Sequence, residues 1–189
     1  MADQPEVVVV SGHMVDAPDR PDARFPEGEV GRVTQEVRTA FERWHVGPGT
    51  TLVTGAARGA DIVAAEAARA RGARLRLVLA LEPDEFAARS VALPGTDWEA
   101  RFRALLEDAD VEVVDAPDDD DVFERTNERI IEVARDLDPR PHAVVVWDGQ
   151  EGDGPGGTRD FVERLGAGEG DGRLVVIDPT SGADRHNQG

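Results

Sequence analysis

Short apolar runs alternate with amphipathic segments along most of the chain. The apolar runs are rich in valine and leucine, which is typical of strands that are covered on both faces. They predict strands over residues 6–10, 51–54, 75–81, 111–114, 143–147 and 174–177. Apolar positions at helical spacing predict helices over residues 29–44, 83–91, 97–108, 122–137 and 158–165. An alanine-rich stretch between Gly55 and Gly72 predicts one more helix.

This alternation of strands and helices indicates right-handed βαβ units. It predicts an α/β fold of three layers, with a mainly parallel sheet between helices. The chain has 189 residues, a length at which one domain with one core is the default. Because neither an internal repeat nor a linker is visible, we expect a single domain over residues 1–180. Residues 181–189 are polar and predict a flexible tail.

The composition excludes several kinds of chemistry. The 21 basic residues are all arginine, so the chain has no lysine for a Walker motif or a Schiff base. It also has no cysteine, which excludes disulfides, thiolate zinc sites and cysteine nucleophiles. The acidic run over residues 118–121 lacks histidine or a spaced set of carboxylates, and we expect neither a metal nor a cofactor.

The net charge of -18 argues against nucleic acid as a partner, because basic residues would have to neutralise the phosphate backbone. Both a GC-rich coding bias and a salt-adapted cytosol would account for such an acidic, lysine-free chain. No apolar run approaches the roughly 20 residues of a membrane span, and residues 1–10 lack the features of a signal peptide. We therefore expect a cytoplasmic protein without a membrane partner. The sequence is compatible with a homo-oligomer.

Glycine-bearing loops follow three of the predicted strands. In an open parallel sheet, ligands bind beyond the C-terminal ends of the strands. The loops over residues 54–61 and 148–158 also open a helix, where free N–H groups and the helix dipole favour an anion such as phosphate. The candidate ligand-binding residues in the three loops are Ser11, Gly12, His13, Gly55, Arg58, Gly59, Asp61, Asp148, Gly149, Gly156, Gly157 and Thr158.

Several of these side chains also have a purely structural interpretation. Arg58 suits either a bidentate phosphate contact or a surface salt bridge. Asp61 suits either a ligand hydroxyl or the free N–H groups of a first helical turn, and Asp148 suits either a ribose hydroxyl or a turn. His13 is equally a turn or core residue. The long loop after the first strand carries Asp16 and Arg20, and similarly long loops often cover a ligand.

Three segments resemble those of a known superfamily. The segment VTGAARGADIVAAEAA resembles the glycine-rich segment of the SLOG superfamily, which includes the Smf/DNA-processing A and Lonely Guy proteins. The segment DGPGGTRDF resembles the second SLOG signature, PGGxGTxxE, and GHMVDAPDRPDARFP is similar to the first-strand loop of a bacterial, signalling-associated SLOG-like subgroup. The resemblance implies a Rossmann-like domain that binds nucleotides or nucleotide-derived signals. Some members of the superfamily cleave the N-glycosidic bond of nucleoside monophosphates.

Carried over by position, the resemblance implies that Gly156, Gly157 and Thr158 hold phosphate. Asp160 falls where the cleaving members carry a glutamate, and the segment also resembles the loop of nucleoside deoxyribosyltransferases whose glutamate attacks the sugar. However, Asp160 is one methylene shorter, the motif is compressed to PGGT, and the paired basic motif of the cleaving members has no clear match. These departures favour binding over cleavage.

Three functional hypotheses follow from the sequence. The first is a domain that binds a small nucleotide or nucleotide-derived signalling ligand. The second is an N-glycosidic hydrolase or transferase acting on nucleoside 5′-monophosphates or deoxyribonucleosides, with Asp160 as the catalytic residue. The third is a scaffold domain without catalysis. The acidic composition disfavours the function of the DNA-processing branch.

Overall fold

The computed structural model of the chain describes residues 4–115, 117, 119–150, 157–166 and 170–181. Within these residues, six strands form one sheet in the order β4-β3-β2-β1-β5-β6, and every neighbouring pair is parallel. The strands are β1 (Val7–Gly12), β2 (Thr51–Thr54), β3 (Arg74–Leu79), β4 (Asp110–Val113), β5 (His142–Val146) and β6 (Leu174–Ile177).

Helices connect the strands and cover both faces of the sheet. They are α1 (Val30–Arg43), preceded by a 3-10 turn (Glu27–Glu29), α2 (Ala60–Ala70), α3 (Pro83–Phe86), which continues into a π-helical turn (Ala87–Val91), α4 (Trp98–Leu106), α5 (Val122–Leu137) and α6 (Thr158–Leu165). Helices α1, α2 and α4 pack on one face, and α5 and α6 pack on the other. None of the described helices is both long and apolar enough to cross a bilayer.

The valine run of β1 explains why this strand lies in the middle of the sheet. Side chains alternate between the two faces of a strand, and Val8 and Val10 belong to the core beneath α1 and α2. Val7 and Val9 belong to the core beneath α5 and α6. All four side chains are at most 1% exposed, so only a strand with neighbours on both edges and helices on both faces accommodates them.

The structure confirms the predicted α/β class, and the sheet is entirely rather than mainly parallel. The predicted strands agree with the observed ones to within two residues at every end, and the predicted helices over residues 122–137 and 158–165 have the observed bounds. The alanine-rich helix begins at Ala60, because Ala56 and Gly59 have positive φ angles of 62° and 105° that end any helix before that point. The domain boundary at residue 180 stays a prediction, and residues 182–189 lie outside the described part of the chain.

Candidate functional site

A cavity of about 350 Å³ lies beyond the C-terminal ends of β1, β2 and β3. Volumes from about 300 to 1,000 Å³ are typical of small-molecule sites. The walls come from the loop after β1, the loop between β2 and α2, the π-helical turn, the first three turns of α5 and the first residues of α6. The described parts of all three glycine-bearing loops therefore meet at this edge of the sheet, and residues of each of them line the cavity.

The loop after β1 begins at a very close contact with β5. A Cβ atom on Gly12 would lie 2.6 Å from the Val146 carbonyl oxygen and 2.7 Å from the Cβ of Ala60, so only glycine fits. The backbone N–H of His13 then donates to the same Val146 carbonyl, at 2.9 Å. This contact fixes where the loop leaves the sheet, and it directs residues 11–17 along the wall of the cavity.

The second loop is bonded to the first through Gly59. Its φ of +105° suits glycine, and a Cβ would lie 2.8 Å from the carbonyl oxygen of His13 and from the N–H nitrogen of Val15. Met14 and Gly59 form an antiparallel bridge, and the N–H of Ala60 donates to His13 at 3.3 Å. The two loops thus form one continuous wall of the site.

The third loop contributes Gly157 and Thr158 to the cavity lining. Thr158 is the first residue of α6, and none of the described side chains caps the start of this helix. The first N–H groups of a helix have no partner within the helix, so the start of α6 can accept an anion. Gly156, which the resemblance assigns to the same phosphate, lies outside the described residues.

Three arginines line the cavity, although the chain as a whole is strongly acidic. They are Arg20, Arg24 and Arg58. The Nε of Arg58 donates to the Val15 carbonyl at 3.0 Å, which holds its guanidinium against the first loop. Burial lowers the pKa of Arg58 below its ordinary value, and the negative charge of Asp16 opposes this effect. The lining also holds the carboxyl groups of Asp16 and Asp61, so the three arginines leave it with a small excess of positive charge.

Two carboxylates organise the long loop that carries Arg20 and Arg24. Asp16 Oδ2 accepts the N–H groups of Arg24 and Phe25 at 2.9 Å each, and the Phe25 ring is fully buried. The Nε of Arg20 lies 3.6 Å from Asp16 Oδ1. The Nε of Arg24 lies 3.8 Å from Oδ2 of Asp148, which follows β5. These contacts hold the loop against the cavity, whose lining includes Asp16, Arg20 and Arg24, and its role as a cover stays a prediction.

Asp148 belongs to the support of the site. His13 Nε2 donates to its Oδ1 at 2.9 Å, and the N–H of Gln150 donates to the same atom at 3.0 Å. Burial alone would raise the pKa of Asp148, but the hydrogen bonds from His13 and Gln150 and the charge of Arg24 outweigh it, so this pKa is lower than usual. Asp148 is thus a stable anion that orients His13 and Arg24.

Asp61 is a buried acid in the first turn of α2, and it lines the cavity. Its Oδ2 accepts the N–H of Ala57 at 3.1 Å, whereas Oδ1 is buried and has no hydrogen-bond partner among the described residues. Burial raises the pKa of Asp61 to about 7, although hydrogen bonds from the Ala57 N–H and the Thr54 side chain oppose this shift. Asp61 is therefore an acid that changes its protonation near neutral pH.

The remaining wall carries residues for which the sequence motifs gave no signal. Its polar members are Ser90 in the π-helical turn and Thr126 and Asn127 in α5, and its aromatic members are Phe86 and Phe123. One signal was available: Thr126 and Asn127 are polar residues on the apolar face of α5, and they are 5% and 9% exposed. Met14, Arg24 and Ile130 also line the cavity and were not predicted.

The predicted ligand-binding residues fall into three groups. Those that line the cavity are Ser11, Gly12, His13, Gly55, Arg58, Asp61, Gly157 and Thr158. Gly59, Asp148 and Gly149 are not part of its described lining: Gly59 joins two loops, Asp148 supports His13, and Gly149 occupies a turn with a φ of +77°. Gly156 is outside the described residues.

Asp160, the predicted catalytic residue, is held in an ion pair on α6. Both of its carboxylate oxygens accept the Nε of Arg164 at 2.8 Å. The same guanidinium contacts Glu124 and Glu128 of α5. Asp160 is not among the described residues that line the cavity. Its carboxylate, as it stands, joins α6 to α5. The described residues also contain no cluster of three or more metal-ligating side chains.

Comparison with known proteins gives similarity at the level of the fold. No family model matches the sequence, and no curated protein matches it either. DNA processing protein A (DprA) from Streptococcus pneumoniae is similar in structure, with a TM-score of 0.49 and 15% identity over 95% of this chain. The chain spans 54% of the length of that protein. The protein TM1055 is similar with a TM-score of 0.44 and 15% identity, over 85% of this chain and 68% of its own length.

Proposed function

We propose that this chain binds a small nucleotide or nucleotide-derived ligand in the cavity at the C-terminal edge of the sheet. The observation that carries the proposal is the convergence of three glycine-bearing loops and three arginines on one cavity of about 350 Å³. Isolated glycine loops often serve only as turns. Three loops that meet at one cavity lined by arginine side chains indicate a site for an anionic ligand, because turns with a purely structural role have no reason to converge in this way.

The phosphate of such a ligand fits at the start of α6. The first N–H groups there, which no described side chain caps, are hydrogen-bond donors for phosphate oxygens, and the helix dipole favours a negative charge. Arg24 and Arg58 lie in the same lining, and a guanidinium can donate two parallel hydrogen bonds to a phosphate. Their contacts with Asp148 and Val15 hold both side chains before the ligand arrives, which lowers the conformational entropy lost on binding.

A small molecule suits the site better than a nucleic acid chain. The net charge of -18 repels a long phosphate backbone, whereas a single nucleotide enters a local patch of positive charge. The long loop that carries Arg20 and Arg24 also lies against the cavity, and it leaves room for a compact ligand. The charge distribution therefore supports a small ligand.

Binding is also better supported than cleavage. N-glycosidic cleavage requires a carboxylate close to the sugar carbon, and the candidate, Asp160, is paired with Arg164 through both oxygens. To act on a ligand, Asp160 would have to exchange this ion pair for a position in the cavity. Its present contacts favour a structural role in the junction of α5 and α6.

Isothermal titration calorimetry with inorganic phosphate, ribose 5-phosphate, AMP and ADP-ribose tests the proposal. We expect at least one of the organic phosphates to bind. Arg24→Gln and Arg58→Gln should each weaken its binding about 10-fold or more, because each removes a charge-assisted hydrogen bond to phosphate. Arg38→Gln, on the exposed face of α1, makes the same change of charge and should leave the affinity unaltered.

The same samples separate the alternatives. Release of free base that disappears in Asp160→Asn would replace the binding proposal by N-glycosidic cleavage. Failure of all four phosphates to bind, or an equal loss of affinity in Arg38→Gln, would contradict a phosphate site at this cavity. Thermal melting of each variant shows that an observed loss of affinity does not come from unfolding.

A further inference from the structure

The first turn of α6 contains an acid that does not cap the helix. Asp160 is the third residue of α6, and a carboxylate at this position normally lies near the free N–H groups, where the helix dipole favours it. The first-turn acid of α2 shows the usual behaviour, because Asp61 accepts the backbone N–H of Ala57 at 3.1 Å. None of the described side chains, Asp160 included, accepts an N–H at the start of α6.

Arg164 holds the Asp160 carboxylate in another place. Its Nε donates to both carboxylate oxygens at 2.8 Å, and an acid four residues before a base is the favourable orientation of such a pair in a helix. The other two nitrogens of the guanidinium donate to Glu128 at 2.5 Å and to Glu124 at 2.6 Å. Because α5 fixes the guanidinium in this way, the carboxylate stays at Arg164 instead of at the start of the helix.

Two further residues leave the start of α6 open to the cavity. The N-cap residue is Gly157, which has no side chain to accept the first N–H groups. Thr158 is only 7% exposed and lines the cavity, and its hydroxyl has no hydrogen-bond partner among the described residues. Nearly buried polar groups normally have a partner. The free N–H groups and this hydroxyl are therefore suited to binding one anion together.

We propose that Arg164 is a positioning residue of the phosphate site, which binds Asp160 and so keeps the N–H groups at the start of α6 and the Thr158 hydroxyl free for the phosphate of a ligand. The inference rests on the proposed function and gives a role to two residues that are not among the described lining of the cavity. Without Arg164, the Asp160 carboxylate is free to accept the first N–H groups of α6, and its charge repels an incoming phosphate. The ion pair thus acts on affinity through the position of Asp160, in addition to joining α6 to α5.

A double-mutant cycle on Asp160 and Arg164 tests this inference. Arg164→Met removes every donor of the guanidinium and keeps an unbranched side chain, so it releases Asp160. In isothermal titration calorimetry with ribose 5-phosphate, AMP and ADP-ribose, this variant should bind about 5- to 10-fold more weakly than the wild type, because the released carboxylate competes with phosphate for the helix start. Asp160→Ala removes the competitor and should bind at least as tightly as the wild type.

The variant with both changes separates positioning from a merely structural contact. Arg164→Met also breaks the contacts with Glu124 and Glu128, and removal of Asp160 cannot repair a helix that has loosened from α5. If the position of Asp160 is what matters, the double variant should recover the affinity of Asp160→Ala to within about 2-fold. Arg164→Lys keeps a cation that can pair with Asp160 and should retain most of the affinity.

Arg103→Met is the matched control. Arg103 pairs with Glu99, four residues before it on α4, so this variant loses the same charge from a pair of the same spacing. No described residue of α4 lines the cavity, and the affinity should stay that of the wild type. Thermal melting of each variant shows whether it is folded at the temperature of the titration.

Each outcome decides between the two proposals. If Arg164→Met binds as tightly as the wild type, or the double variant binds as weakly as Arg164→Met, the inference fails and the phosphate site stands. If Asp160→Ala alone weakens binding as strongly as Arg164→Met, the pair only joins the two helices, and the inference fails again. If none of the three phosphates binds the wild type, the proposed function fails, and the role of Arg164 fails with it.

Discussion

Asp61 combines two properties that rarely occur in one side chain. It is an acid at the start of a helix, where a carboxylate is favourable, and it is buried so deeply that its ionisation is unfavourable. Burial dominates, because the pKa is raised from 3.8 to about 7. A natural protein keeps such a cost where the group is used for function, which agrees with its place in the cavity lining.

Asp61→Asn should therefore change how stability depends on pH. Ionised Asp61 is penalised only in the folded state, so the free energy of unfolding of the wild type falls as pH rises from about 4 to about 7. The rise in the pKa of Asp61 from 3.8 to about 7 corresponds to a loss of at most about 4 kcal/mol in the free energy of unfolding. The variant lacks this loss, so its stability relative to the wild type should increase between pH 5 and pH 8. Urea denaturation of both proteins at the two pH values measures the change. A difference in the free energy of unfolding that is the same at both pH values would contradict a raised pKa for the buried Asp61.

Single residues also show where sequence reasoning reaches its limit. Arg58 and Thr158 were predicted as ligand-binding residues because they lie in glycine-bearing loops. In the structure, both line the cavity. Asn127 and Phe123 were not predicted, because the pattern of apolar residues shows which face of α5 is buried but not which loops lie against that face. In the sequence, Asp160 suits both a catalytic role and the role of an acid in the first turn of a helix. The ion pair with Arg164 favours the structural role. The spacing of four residues between them was visible in the sequence.

At the scale of elements, the site depends on how the loops are joined. The sequence was sufficient to predict the strands, since four consecutive valines leave few alternatives to a central strand. It was not sufficient to predict the bridge between Met14 and Gly59, because this pairing depends on where two loops leave the sheet. That bridge makes the first two loops one wall, on which Arg58 is held by Val15.

Gly59→Ala should break this wall. Alanine at a φ of +105° is strained, and its Cβ would lie 2.8 Å from backbone atoms of His13 and Val15, which cannot move away without breaking the bridge. We expect a loss of about 2–4 kcal/mol in the free energy of unfolding, and a loss of phosphate binding as the loops separate. Gly28→Ala is the control, because nothing lies within 4 Å of its Cβ position.

Chemical denaturation of the two glycine variants gives the comparison directly. If Gly59→Ala is as stable as Gly28→Ala, the close approach of the two loops is not required by the fold. A variant that remains stable but no longer binds phosphate would indicate that the bridge matters mainly for the site.

At the scale of the whole molecule, the distribution of charge is the main functional feature. The chain carries 39 acidic and 21 basic residues, yet three arginines meet at one cavity. Many other arginines pair with neighbouring acids on the surface, as Arg101 does with Glu66 and Arg164 with Glu124. This group of arginines favours an anion where the loops converge, and the acidic surface around it discourages long anionic partners. The net charge is readable from the sequence, whereas the grouping of Arg20, Arg24 and Arg58 around one cavity is visible only in the fold.

The most direct test of the central claim is a map of where a nucleotide contacts the protein. Titration of the 15N-labelled protein, whose mass is 20.3 kDa, with AMP and ADP-ribose gives this map from its amide chemical shifts. We predict saturable shifts in residues 11–15, 55–61 and 157–158, with smaller changes along the first turns of α5. A second cavity of about 420 Å³, lined by Arg74, Arg129 and Leu137, lies at the opposite edge of the sheet and serves as an internal control. Shifts that cluster there, or no shifts with either nucleotide, would contradict a nucleotide site at the three loops.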